Sequence, residues 1–384
     1  MAQQGSTSEP EAKPSIHGDV LESILSHVPL IHLLSASRVS TSWNRAVSSS
    51  LAHLNPVKPW LILHAHSSRS PYLTATHAYD PRSHLWLDIR RPNQSSLKLA
   101  SSALRSSHSS LFYVLSPTVF AFSFDPLHLT WHHAEAPRVW RVDPIVARVG
   151  RCIVVAGGAC DFEDDPLAVE VYDPGTRTWT MGPSMPEILK DSTASTWLSV
   201  AVDEQRMHVT EKSSGITYSF DPNAEIWDGP YDLRPNQNVY SCVIGTLHNR
   251  LIVAGLVGNM ENLNSVKLWE VRGEMGKEFW WMEMGEMPKE MVKKLKGESE
   301  CVASIAMNAM GDFVYIHNPS EPAEMIVGEI VNGTCKWRDV PNVVMKDKTR
   351  MQRMVVGCSD VSLGDLQKAV SENRNFAVKI RAGN

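Results

Sequence analysis

The sequence lacks the features that mark several common classes of protein. Its formal net charge is −5 over 384 residues, without the basic excess that gives nucleic-acid-binding domains their affinity for phosphates. Its apolar runs all fall short of the roughly 18 residues that a membrane-spanning helix needs. Residues 1–15 are polar and carry no apolar segment typical of a secretory signal. We therefore expect no nucleic-acid partner, no membrane partner and a disordered stretch at residues 1–15.

Cysteine pairs with metal-site spacing and the common catalytic motifs are also missing. The 6 cysteines are scattered without a CxxC pair, which indicates free thiols in a reducing compartment, cytoplasmic and/or nuclear. No GxSxG, P-loop, GxGxxG or HExxH pattern occurs. His64 and His66 would share one face of a strand, but a third metal ligand is not evident. The sequence therefore predicts no cofactor, no metal and no catalytic residue.

A small helical module is predicted for residues 16–55. Asp19 and Glu22 have the spacing of a capping box at the start of a helix, and Pro29 ends that helix. Ser40 can cap a third helix that carries Trp43. Three helices this short cannot bury much apolar surface alone. Their apolar face must therefore pack either against the rest of the chain, as an ordinary cap, or against a partner.

After a short connector, an aromatic–turn–tryptophan unit recurs along the chain. Its 4 regular copies run from an aromatic residue through Asp-Pro to Trp, at residues 79–86, 124–131, 172–179 and 220–227. Asp-Pro suits the first two positions of a type I turn. More divergent copies end at Trp280-Trp281 and Trp337. The period of about 50 residues is that of kelch repeats, in which four strands form one propeller blade.

The pattern predicts a mainly β chain: a six-bladed kelch β-propeller over residues 59–362, preceded by the helical module. Residues 354–358 are predicted to complete the first blade and close the ring, because closure removes exposed sheet edges. Residues 362–384 are expected to form a short helix and a tail. The predicted blades lie near residues 59–90, 102–134, 143–182, 196–229, 239–285 and 301–340.

Residues 16–47 resemble an F-box. The matching features are Asp19, the pairs at 24–25, 28–29 and 33–34, and Val39-Ser40 followed by Trp43, while Ile16-His17 replaces the usual Leu-Pro. The resemblance implies docking onto a Skp-type adaptor of a cullin–RING ubiquitin ligase. The residues that it implies for adaptor binding are Ile16, Leu21, Ile24, Leu25, Val28, Pro29, Leu33, Leu34, Val39 and Trp43.

The whole arrangement resembles the plant F-box/kelch-repeat proteins. Residues 137–150, 156–165 and 195–202 resemble the member that targets chalcone synthase. The resemblance implies a non-enzymatic substrate-recognition subunit of an SCF-type ubiquitin ligase. Its propeller would bind a flavonoid or phenylpropanoid enzyme for proteasomal degradation. The alternatives are a binding scaffold without a ligase role and a propeller enzyme that acts on a small metabolite.

Loops at one end of the propeller are the predicted target-binding elements. Large aromatic residues and Arg at a rim are typical interface anchors, and loops on a scaffold commonly carry recognition. Packing between blades is an equal alternative for the residues before the innermost strands. The candidates are Arg138, Trp140, Arg141, Phe162, Glu163, Asp164, Trp197 and Tyr240.

Overall fold

The computed structural model describes residues 18–67, 74–90, 104–159, 165–342 and 352–379. The expected disorder at residues 1–15, and Ile16, lie outside this range. The described α-helices are α1 (Asp19–Ser26), α2 (Leu30–Ala36), α3 (Thr41–Ser49), α4 (Lys289–Lys296) and α5 (Leu363–Ser371). Ser40 caps α3, as predicted, by accepting a hydrogen bond from the backbone N–H of Trp43. The capping box expected at α1 is wrong, because the N-cap is Gly18 and Glu22 instead accepts a hydrogen bond from Ser49.

The described strands form six antiparallel sheets, which are the blades of the predicted propeller. Blade 1 comprises β24, β1, β2, β3 and β25, and blades 2 to 6 take the remaining strands four at a time in chain order. The strands are β1 (Trp60–Ser67), β2 (Thr74–Asp80), β3 (Leu85–Arg90), β4 (Leu104–His108), β5 (Leu111–Leu115), β6 (Phe120–Ser123), β7 (His132–Ala134), β8 (Ile145–Val149), β9 (Cys152–Ala156), β10 (Val169–Asp173), β11 (Thr178–Gly182), β12 (Leu198–Val202), β13 (Met207–Glu211), β14 (Ile216–Asp221), β15 (Ile226–Asp232), β16 (Val239–Leu247), β17 (Arg250–Gly258), β18 (Leu263–Gly273), β19 (Phe279–Glu286), β20 (Ala306–Met310), β21 (Phe313–His317), β22 (Glu324–Val331), β23 (Thr334–Pro341), β24 (Gln352–Ser359) and β25 (Asn375–Lys379).

The C-terminal strand closes the ring, as the sequence predicted. β24 pairs with β1 along its length, with Leu61 opposite Cys358 and His64 opposite Val355. The innermost strands β24, β4, β8, β12, β16 and β20 each contact the next, and β20 returns to β24. The first blade therefore combines strands from both ends of the chain, so its sheet holds the ring together.

Recurring side chains hold the repeat together. Each Asp of the Asp-Pro turns accepts a backbone N–H two or three residues later, as from Gly175 to Asp173 at 2.7 Å. The Nε1–H of Trp179 donates to the Glu135 carbonyl at 3.0 Å, in the segment that leaves the preceding blade. Trp227 and Trp281 make the equivalent bonds to the segments that leave blades 3 and 4. The repeat tryptophans therefore fasten each of these blades to its neighbour.

The N-terminal helices pack onto the outer part of blade 1. Their apolar side chains join a buried cluster that includes Trp60, Ile62 and Leu87 of the blade and Leu366 of α5. Burial of such apolar area is the main stabilising contribution to the junction. The members from the helices are Leu21, Leu25, Leu30, Leu33, Leu34, Ala46 and Val47.

One arginine of the blade binds the end of the first helix. Arg82, in the β2–β3 turn, is buried and donates to the carbonyls of Ser26 at 3.0 Å and Leu25 at 3.3 Å. It also donates to the carbonyls of Val28 and, at 3.0 Å, Asn55. The last carbonyls of a helix have no partner within the helix, so this cation satisfies them. The helices and the propeller are therefore joined by a specific contact as well as by apolar packing.

The C-terminal segment extends this junction further than predicted. α5 begins with a capping box between Ser362 and Asp365 and contacts α2. The expected tail instead forms β25, an edge strand that pairs with β3. Arg374 between them donates to the carbonyls of Leu127 at 2.6 Å and His128 at 2.8 Å. The chain end therefore links the helices, blade 1 and blade 2.

The helices lie at one end of the propeller, and the loops that enter the innermost strands lie at the other. The strands of a blade alternate in direction, so loops into the first strand share an end with loops between the second and third. We call this end the upper face. The connector after Asn55 leads into β1, the second strand of its blade, and Arg82 lies between the third and fourth. Both belong to the opposite end, which we call the lower face.

Candidate binding surfaces at the two ends of the propeller

Many of the residues expected to contact an adaptor are internal. Leu21, Leu25, Leu33 and Leu34 are buried in the cluster shared with blade 1. Val28 and Trp43 are half-buried against the same cluster, and Pro29 is also half-buried. These positions hold the helices to the propeller, because the apolar face of the module is covered by its own chain.

Apolar side chains also remain open to solvent on the helical module, and we call Val20, Ile24 and Val39 together the exposed stripe. Ile24 is 47% exposed and Val39 is 62% exposed. Val20, which was not among the predicted contacts, is 62% exposed and lies one helical turn before Ile24 on α1. The module therefore has apolar side chains that pack on the propeller and others that face solvent. The periodicity of the sequence indicates which positions are apolar, but not which of them the propeller covers.

On the upper face, the double glycine brings three loops together. Gly157 and Gly158 both have positive φ, at 66° and 94°. A Cβ at Gly157 would lie 2.6 Å from the Thr193 carbonyl oxygen, and one at Gly158 would lie 2.9 Å from that of Val142. Only glycine permits these approaches. The double glycine is therefore needed to seat the β7–β8 and β11–β12 loops against each other.

Trp197, one of the predicted target-binding residues, is exposed, at 61%. Its carbonyl accepts the backbone N–H of Lys212 at 3.0 Å, and the Lys212 Nζ donates to the Thr196 carbonyl at 2.8 Å. The Thr196 hydroxyl donates to Asp143 at 2.9 Å. Asp143 follows the 50% exposed Val142. An exposed aromatic and an exposed aliphatic side chain thus flank the charged groups at the centre of the upper face.

Arg141 is a structural residue, which corrects its assignment to a binding rim. It is 1% exposed and forms an ion pair with the fully buried Glu170 at 2.5 Å. It also donates to the Ala168 carbonyl at 2.6 Å. The same Glu170 accepts the backbone N–H of Arg138 at 2.6 Å. The pair therefore anchors the loop that enters blade 3, because a buried charge requires such partners.

The other predicted contacts divide between surface and packing. Arg138 has an exposed side chain and Trp140 is half-buried, next to each other in the loop before β8. Tyr240 packs against the core of blades 5 and 6 and donates to the Val302 carbonyl at 2.7 Å. Burial raises its pKa to about 12. Phe162, Glu163 and Asp164 lie outside the described residues.

Neither a metal-binding cluster nor a membrane-spanning helix occurs among the described residues. Within the five described ranges, no group of three His, Cys, Asp or Glu side chains could hold a metal ion. His64 is buried, with Nδ1 3.0 Å from the Thr76 hydroxyl and Nε2 3.3 Å from the Pro126 carbonyl. Among the helices of the described ranges, none is long and apolar enough to cross a membrane.

Comparison with known proteins identifies both modules. The F-box domain model matches residues 17–54 and the Kelch motif model matches residues 140–186. The Arabidopsis thaliana F-box/kelch-repeat protein At1g23390 is 45% identical over 377 residues, which cover 95% of both chains.

Two further similarities cover less of the chain. A second Arabidopsis F-box/kelch-repeat protein, At3g24610, is 29% identical over 120 residues, 29% of this chain and 28% of its own. A solved structure titled "Structure of YjhT" aligns with a TM-score of 0.41 and 13% identity, covering 62% of this chain and 82% of that one. On the full-length similarity, the chain belongs to the plant F-box/kelch-repeat protein family.

Proposed function

We propose that this chain binds a Skp-type adaptor through the exposed stripe of its F-box and a target protein through the upper face of its propeller. An F-box followed by kelch repeats indicates a substrate-recognition adaptor of an SCF-type ubiquitin ligase. The observation that carries the adaptor site is the open apolar surface at Val20, Ile24 and Val39. A module that only capped the propeller would have no need of a second apolar face.

The separation of the two surfaces fits this role. The F-box lies on the lower face, fixed by Arg82, while Trp197 and Val142 lie on the upper face. Target and ligase would then not compete for the same surface. Holding a target near the ligase raises the effective concentration of activated ubiquitin at its lysines. In this role the chain only positions the target, so it requires no nucleophile of its own.

The adaptor site is tested by a pull-down with a purified Skp-type adaptor. In the variant Ile24→Asp with Val39→Asp, we expect affinity to fall roughly 30-fold or more, the equivalent of about 2 kcal/mol at an interface centre. The matched control is Ile188→Asp, at a 60% exposed residue next to blade 3. Unchanged binding by the double variant would show that this stripe is not the docking surface.

We further propose that the target is a flavonoid or phenylpropanoid enzyme such as chalcone synthase. What supports this is the likeness of residues 137–150, 156–165 and 195–202 to the member with that target. The described loop residues of these segments, at 138–144, 157–159 and 195–197, lie on the upper face of blades 3 and 4. Their strand residues, such as Ile145 and Leu198, are buried scaffold and add nothing to target choice.

The target is tested by affinity capture under proteasome inhibition. The Ile24→Asp with Val39→Asp variant should retain and enrich the target, because its upper face is intact. Trp197→Asp should lose it. If chalcone synthase is absent from both wild-type and double-variant captures, the target proposal fails, whatever the adaptor pull-down shows.

We also propose that the protein works in the cytoplasm and/or the nucleus. Free thiols support this, since the described cysteines Cys152, Cys242, Cys301, Cys335 and Cys358 are unpaired. Imaging of a fluorescent fusion tests it, and accumulation in a secretory compartment would contradict it.

A further inference from the structure

The centre of the propeller contains a cavity with an unusual distribution of charge. The cavity has a volume of about 220 Å³ and is lined by residues of the innermost strands β4, β12, β16, β20 and β24. Its lining includes Arg105, Lys212, His108 and His317 but no Asp or Glu. The whole chain, in contrast, carries a formal net charge of −5. The cavity therefore concentrates positive charge in an acidic protein.

The basic side chains lie at the upper end of the cavity. Arg105 is at the start of β4, and Lys212 and His317 are at the ends of β13 and β21. By the alternation of strand direction, all three are on the upper face. In the described ranges, no carboxylate pairs with Arg105 or Lys212. The nearest acid acting on Lys212 is Asp143, outside the cavity lining.

The buried His317 and the half-buried Lys212 at this end are incompletely satisfied. Lys212 makes its hydrogen bond to the Thr196 carbonyl, which leaves further N–H donors of the ammonium. Burial lowers its pKa to about 8, partly offset by Asp143. His317 is 7% exposed, and its Nδ1 has no hydrogen-bond partner among the described residues. Burial, and then the charge of Lys212, lower the pKa of His317 to about 4, so it is neutral.

A bound anion would pair with the positive charges of the cavity and accept hydrogen bonds from its unused N–H donors. A charged group that loses water needs a partner of opposite sign, and a neutral imidazole can supply one N–H donor beside it. Guanidinium and ammonium groups bind carboxylates through charge-assisted hydrogen bonds. The remaining wall is apolar and includes Val200, Val243, Ile305 and Val355. The cavity volume of about 220 Å³ is below the roughly 300 to 1,000 Å³ of sites that bind drug-sized ligands, so the occupant is small.

We propose that the propeller channel binds a small organic carboxylate, with its anionic group on Lys212 and Arg105 and its apolar body against the valines of the inner strands. This site is separate from the protein–protein contacts proposed above. It places a small ligand against Lys212, whose backbone N–H donates to the Trp197 carbonyl.

Isothermal titration of the purified full chain tests the proposal, with benzoate as the probe. Benzamide is the matched neutral control, because it has the same shape without the charge. Inorganic phosphate tests whether any anion suffices. We expect benzoate to bind, benzamide to bind at least about tenfold more weakly, and phosphate not to compete with benzoate.

Two variants locate the site. Lys212→Gln keeps a donor for the Thr196 carbonyl but removes the charge, and Arg105→Gln removes the second cation. Each should weaken benzoate binding about tenfold or more. Lys190→Gln, at an exposed lysine paired with Glu187, should bind like the wild type. Circular dichroism melts confirm folding, and Arg105→Gln keeps the test valid if Lys212→Gln does not fold.

Each outcome decides the proposal. Benzoate binding that depends on both cations supports it. The proposal is overturned if benzoate does not bind, if benzamide binds equally well, or if the folded variants bind like the wild type. Binding of phosphate without benzoate would overturn the assignment to a carboxylate.

Discussion

The contact between Arg82 and the F-box provides the most specific test of the junction. Arg82→Met keeps much of the apolar stem but removes the donors to the carbonyls of Leu25, Ser26, Val28 and Asn55. Each charge-assisted hydrogen bond contributes roughly 1.5 to 3 kcal/mol, and bonds that share one side chain do not add fully. We therefore expect the helices to detach from blade 1 more easily by about 3 kcal/mol. That corresponds to roughly 150-fold more frequent opening.

Native-state hydrogen exchange measures this opening directly. Protection of the α1 and α2 amides should fall by about two orders of magnitude, while β12 to β14 of blade 4 keep theirs, because the opening is local. Arg90→Met is the control, since Arg90 is exposed on the same blade and paired with Asp88 at 3.1 Å. Unchanged protection in α1 and α2 would refute the role of Arg82. An equal loss in blade 4 would show global unfolding instead.

Three further predictions follow from the propeller. Trp227→Phe should lower the free energy of unfolding, measured in urea, by about 1 kcal/mol more than Trp337→Phe. The reason is that Trp227 donates to the Pro183 carbonyl at 3.1 Å, whereas the buried Nε1 of Trp337 has no acceptor among the described residues. Equal losses would refute the role of Trp227 in holding blade 4 to blade 3. Deleting residues 374–384 should leave a folded protein with a lower melting temperature, because β25 and Arg374 are lost. Ending the chain before β24 should instead prevent folding, because β24 completes blade 1. If size-exclusion chromatography shows a folded product of this second deletion, ring closure by β24 is contradicted. Burial lowers the pKa of His77 and His317 from 6.5 to about 4, so on acidification the unfolded chain binds protons before the folded one does. The free energy of unfolding should therefore fall from about pH 6.5 towards pH 4, by up to about 1.4 kcal/mol per histidine and pH unit. Urea midpoints at pH 7 and pH 5 check this, and equal midpoints would contradict it.

Local chemistry made the propeller predictable from the sequence. The Asp-Pro turns and the tryptophans repeat at a constant spacing, and each has its effect within its own blade or on the blade before. Asp173 accepts the Gly175 N–H as an Asp-Pro turn requires, and Trp179 packs on Tyr172 with ring centroids 5.1 Å apart. The orphan strand at the C-terminus could be placed because a ring with an open edge is unfavourable.

The binding surfaces were less predictable, because they depend on which elements cover each other. Leu25 and Ile24 are adjacent and equally apolar, yet one is buried on blade 1 and the other faces solvent. Arg141 and Arg138 stand three residues apart in one loop, and only the position of Glu170 makes the first a structural residue. Neither distinction is encoded in local spacing.

The basic residues of the cavity have no sequence signature at all. Arg105, Lys212 and His317 come from blades 2, 4 and 6, and each stands in an ordinary strand or turn segment. Only the closure of the ring brings them to one end of one channel. A search for motifs finds groups that are near in sequence, whereas this group is assembled by long-range topology.

The most direct test of the bifunctional account is hydrogen exchange of the full chain with and without a purified Skp-type adaptor. We predict that the adaptor increases protection in α1 and in the segment around Val39, where the exposed stripe lies. Protection around Trp197 and Lys212 on the upper face should not change. Protection gained at the upper face, or no change in the F-box helices, would contradict the assignment of adaptor and target to opposite ends of the propeller.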